Sequence, residues 1–148
     1  MENLHDKVRD RLMAYARINT ESSNHSESVP TTRGQMDLGR ALYSELHQIG
    51  IKDCCFDEES CIVYAHLPKS AKVDTYKTLG LIAHMDTAPD APGEGCKPWE
   101  LKNYDGKDIV LNKDKNIIMG VDNFPELKNY IGQDLILTDG TTLLGGDD

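Results

Sequence analysis

The sequence predicts an α/β fold, on three observations. Before residue 50 the apolar residues recur at helical spacing; after it they gather into short β-branched and aromatic runs. One of those runs, "TLGLIAH" at 78–84, places apolar residues on both faces, as a strand does when helices cover it on either side. Helices first and mixed strands afterwards make an α/β layer. A chain of 148 residues fits one domain and can bury roughly two-thirds of its unfolded surface.

Leu4, Val8, Leu12 and Tyr15, with charges between them, form an amphipathic first helix ending near Ile18. The polar stretch "NTESSNHSESVPTTRG" reads as a long loop, and Thr31 or Thr32 can cap the next helix. Leu38, Leu42, Leu46 and Ile49 mark that second helix, with Gly50 placed to end it. "IKDCCF" and "CIVYAHL" around the turn "DEES" suit a pair of strands. "APDAPGEGCKP" after the apolar run must be loop, with Trp99 just beyond it, half-buried. Further strands are expected at "KDIVL" and "DLILT", and turns at Asp105-Gly106 and Asp139-Gly140. The "NFPELKNYIG" segment is expected to pack on a sheet rim.

Composition narrows the function. Sixteen Lys and Arg against 25 Asp and Glu give a net charge of -9, which repels phosphate backbones and anionic lipid and argues against nucleic-acid and membrane partners. Cys54, Cys55, Cys61 and Cys96 form no C-x-x-C pair and read as reduced thiols. The opening "MENLHDKVRDRLMAYARI" lacks the apolar core of a signal peptide, and no stretch approaches about 18 apolar residues, so the expected location is the cytoplasm.

The chemistry concentrates in "LIAHMDTAPD". His84 and Asp86, two apart at a strand end, project from one face, so the carboxylate can accept a proton from one imidazole nitrogen while the other binds a metal. H-x-D alone is short and common: a histidine finishing a strand and an aspartate capping a turn give the same string. "LTDGTTLLGGDD" adds carboxylates at Asp147 and Asp148 behind two glycines that permit close backbone approach. His84 and Asp147 would be two ligands, whereas zinc normally takes three or four. His5, His25, His47 and His66 are scattered and read as structural or solvated.

Three blocks in order, "VPTTRGQ", "HMDTAPD" and "TDGTTLLGGDD", resemble the N-terminal part of the peptidase T family, zinc tripeptide aminopeptidases of the M20 class. The resemblance implies the N-terminal part of an α/β/α zinc-peptidase catalytic domain with a mixed sheet, incomplete over 1–148 and without the family's lid and dimerisation domain. It implies two zinc ions, with His84 ligating one, Asp147 bridging both, and Asp86 the catalytic-site carboxylate that orients His84. It also implies small peptides, tripeptides, as substrate, a homodimer for the full-length enzyme, and a cis bond between Asp147 and Asp148. The Glu-Glu pair that follows the Asp-Asp motif in the family and carries the general base, and the later ligands, have no counterpart in these 148 residues, so the chain alone is expected to be inactive. A sister M20 dipeptidase or deacylase would share H-x-D and the acidic ligand but is a poorer match to the outer blocks. A non-catalytic acidic module rests on net charge alone.

Overall fold

A computed structural model describes residues 3–70, 72 and 77–146. These form two compact units, one of residues 3–19 and 87–146 and one of residues 20–86.

In the first unit, helix α1 (Leu4–Tyr15) starts where the Asn3 side chain accepts a hydrogen bond from the backbone N–H of His5. Its apolar stripe is only partly covered: Leu4 and Val8 remain exposed. Arg9 pairs along the helix with Asp6 at 3.0 Å and Asp10 at 2.8 Å and reaches off it to Glu100 at 3.6 Å.

The core of this unit is Tyr104, Ile109, Leu127 and Leu137, with Trp99, Leu101 and Leu135 packed against it. The buried Tyr104 hydroxyl donates to the Lys107 carbonyl at 2.7 Å, so burying the ring strands no polar atom. "KDIVL" and "DLILT" do contain strands, Ile109–Asn112 and Leu135–Leu137. The first pairs antiparallel with Ile117–Met119, the second with Trp99–Leu101. Trp99, just beyond the expected loop, opens a strand opposite Leu137, and its indole N–H donates to the Thr138 carbonyl. The "NFPELKNYIG" segment holds a 3₁₀ helix, Pro125–Tyr130, whose Leu127 enters the core. Gly106 and Gly140 stand at positive φ in the two "DG" turns.

The second unit is built on helix α2 (Arg33–Gln48) and the antiparallel hairpin of strands Cys54–Asp57 and Ile62–Ala65. Leu38 and Gly39 face inward, and the missing Gly39 side chain makes room for the Phe56 ring. Thr32 takes the N-cap position without capping by its side chain; its hydroxyl donates instead to the Glu21 carbonyl at 2.8 Å. Thr31 Oγ1 accepts from Ser23 N and from Gln35 Nε2. The "VPTTRGQ" block thus ties the long polar loop to the first turn of α2. Gly50, at φ +93°, follows the helix end as expected.

Two expectations need correction. "TLGLIAH" belongs to no strand, and Leu79, Leu81 and Ile82 are 81%, 89% and 100% exposed. Its composition is that of a covered strand, but no element among the described residues lies over either face, and an apolar strand without cover gains nothing from burial. Among the described residues the strands pair as three antiparallel two-stranded ribbons rather than as one mixed sheet, within the α/β class the sequence predicts. All four cysteines are free thiols.

Candidate metal centre

His84 and Asp86 stand together at the end of the second unit. The imidazole Nδ1 lies 2.7 Å from the Asp86 backbone carbonyl oxygen and 3.3 Å from Asp86 Oδ1. A carbonyl oxygen only accepts, so Nδ1 carries a proton and donates it there, and in the neutral ring Nε2 carries the lone pair. The ring is mostly exposed and the carboxylate half-exposed. An imidazole whose inner nitrogen is held by a backbone carbonyl and a carboxylate has the arrangement found behind metal-bound histidines, so Nε2 of His84 could hold a metal ion.

Asp147 and Asp148 lie outside the described residues. The glycines before them are packed as tightly as the sequence suggests. A Cβ on Gly145 would stand 2.6 Å from Thr87 Cγ2, and Gly146, at φ +84°, lies against Tyr15. Among the described residues no group of three or more His, Cys, Asp or Glu is placed to hold a metal ion.

Sequence reasoning missed the cavity beside Asp86. About 280 Å³ in volume, it is lined by Ser22, Ser28, Thr31, Gln35, Cys61 and Asp86. The signal was the density of hydroxyl residues in the 19–34 loop, read there only as loop composition. Cys61, at its wall, is buried, and burial pushes its thiol pKa up, which keeps it protonated and a poor nucleophile. A second histidine–aspartate pair, His66 Nδ1 and Asp53 Oδ2 at 3.0 Å, closes the open end of the hairpin. The pairing alone is therefore no mark of a metal site.

The chain is 51% identical over 138 residues to peptidase T of Alkaliphilus oremlandii, a match covering 93% of this chain and 34% of that protein. It is 49% identical over 142 residues to peptidase T of Halothermothrix orenii and 46% identical over 142 residues to that of Clostridium botulinum, again covering 34% of each. This chain is homologous to peptidase T. It spans about a third of the length of the curated peptidase T relatives it matches. No protein-family model matches it. No helix among the described residues is long and apolar enough to cross a membrane.

Proposed function

We propose that this chain carries part of the active site of a zinc aminopeptidase that removes the N-terminal residue from tripeptides. The observation that carries the reading is the identity of about half its residues with proteins named peptidase T, over 93–96% of its length. In this reading His84, through Nε2, and Asp147 would hold the zinc, and Asp86 would keep the imidazole in the ligating tautomer. The Nδ1 contacts at 2.7 and 3.3 Å support the role of Asp86. Zinc, when bound, polarises the scissile carbonyl and supplies a water of near-neutral pKa.

The residues of this chain have two tasks in that chemistry. Asp86 keeps the proton on Nδ1, so Nε2 stays basic; it also fixes the ring plane, since the carbonyl and the carboxylate of one residue grip one nitrogen. Asp147, behind glycines that admit close packing, would supply negative charge to the metal. Neither residue is a general base for the attacking water. The 148-residue chain therefore has negligible peptidase activity and binds zinc weakly, because it offers fewer ligands than zinc normally takes. Tripeptide hydrolysis by the purified chain with added zinc tests this: background turnover is expected, and turnover abolished by His84→Ala would refute it. In the cell the reading fits a cytoplasmic enzyme that acts as a homodimer when full-length.

A further inference from the structure

The cavity beside Asp86 has in its wall a deeply buried polar atom that the fold does not use. Gln35, in the first turn of α2, is 7% exposed and lines this cavity. Its Nε2 lies 3.4 Å from the Thr20 carbonyl oxygen and 3.1 Å from Thr31 Oγ1. A carbonyl only accepts, so the amide nitrogen is the atom directed there and the amide oxygen is the one left over. That oxygen makes no hydrogen bond to a described residue. It is not sealed from solvent either, and on a residue so buried that opens it to the cavity. Buried acceptors are normally met by a donor, so this one calls for a ligand.

We propose that the cavity binds a primary ammonium group. Its wall selects a cationic donor. Ser28 Oγ donates to the Pro30 carbonyl at 2.8 Å and Ser60 Oγ to Asp57 Oδ2 at 2.7 Å, so both have spent their hydrogens and keep only acceptor capacity. Asp86 is the one charged residue among those lining the cavity. The Thr31 hydroxyl, whose oxygen already accepts from Ser23 N and Gln35 Nε2, adds a single neutral donor. Several acceptors and one carboxylate match the three N–H groups and the positive charge of an ammonium, and a charged donor makes bonds about twice as strong as a neutral one. Val29, Pro30 and Met85 give an apolar wall for a short stem. At about 280 Å³ the cavity sits just below the usual range of small-molecule pockets, which begins near about 300 Å³, so the ligand is small. Two sources carry this group: the amino terminus of a short peptide, and a lysine-like side chain. Only the first rests on the peptidase reading, in which the amino terminus is the substrate end that must be held.

The test is an NMR titration of the isotope-labelled 148-residue chain, with a chelator to exclude metal and potassium chloride as background salt. The probes are trialanine amide, its N-acetyl derivative and Nα-acetyl-lysine amide. Saturable shifts at Thr31, Gln35, Cys61 and Asp86 are expected with at least one of the two free amines and none with N-acetyl-trialanine amide. The tighter of the two amines names the source. Asp86→Asn and Gln35→Met should each weaken binding about tenfold or more, as loss of a charge-assisted bond does. Should Gln35→Met not fold, Ser60→Ala takes its place, with a loss of about threefold or more expected. Binding of the acetylated peptide as tight as that of the free amines overturns the proposal. So does the absence of saturable binding by either amine, or full affinity in Asp86→Asn together with Gln35→Met or its replacement. No metal enters the measurement, so its failure leaves the peptidase reading to the hydrolysis assay.

Discussion

Replacing Gly39 by Ala sets two effects of known size against each other. Gly39 lies in the interior of α2, where Ala is worth up to about 1 kcal/mol in helix propensity. Its new Cβ, however, would stand 2.6 Å from Phe56 Cε2 and 2.7 Å from Cζ, against the roughly 3.5–4.0 Å at which carbon atoms pack. The ring would have to tilt away from the helix, and overpacking of this kind costs about 1–3 kcal/mol. The clash wins, so Gly39→Ala should destabilise the chain by up to about 2 kcal/mol in urea unfolding. Phe56→Leu removes the ring edge and the conflict with it. In that background the same substitution should become neutral or stabilising, by no more than about 1 kcal/mol. A Gly39→Ala chain as stable as the parent, with Phe56 in place, would refute the close packing of α2 on the hairpin.

Gly145→Ala should cost about 1–3 kcal/mol by the same reasoning, since its Cβ would meet the methyl of buried Thr87 at 2.6 Å; thermal unfolding with an unchanged midpoint would contradict this. Acid should destabilise the fold through Asp139, Asp57 and Asp105, whose pKa values are held below the ordinary range. The causes are, in turn, hydrogen bonds from Thr141, from Ser60 and the Glu59 N–H, and from Lys107. A lowered folded pKa means stabilisation present in full above the unfolded value near about 4 and lost as pH falls through the folded one. Asp139→Asn should therefore flatten the fall of the melting temperature in that window, and an unaltered slope would count against it.

The helices and the hairpin were legible because their residues repeat with the right period and end on the right residues: Leu38 faces inward, and Gly50 closes α2 at positive φ. The strands Trp99–Leu101 and Ile117–Met119 were not, because three residues are too few to show a period. "TLGLIAH" was read from its composition as a covered strand. Composition records the burial a segment is suited to; it does not say which element supplies the cover, and here none of the described residues does. For the site, H-x-D announced a contact that the structure contains between His84 and Asp86. The His66–Asp53 pair, from residues 13 apart, had no such signature and arises simply because they face each other across the hairpin mouth. What singled out the first pair was the resemblance of the block around it, "HMDTAPD", to a known family, rather than any geometry that sets it apart from the second.

The central claim is that His84, Asp86 and Asp147 serve a zinc peptidase site, and a chimaera tests it most directly. The matched third of Alkaliphilus oremlandii peptidase T would be replaced by this chain, and zinc content and tripeptide hydrolysis measured together. The expected result is an active chimaera that loses zinc and turnover with His84→Ala or Asp147→Ala. Asp86→Asn should cost about 10–100-fold in metal affinity or activity, as expected of a residue that orients a ligand. A chimaera that folds and turns over tripeptide undiminished by His84→Ala would contradict it.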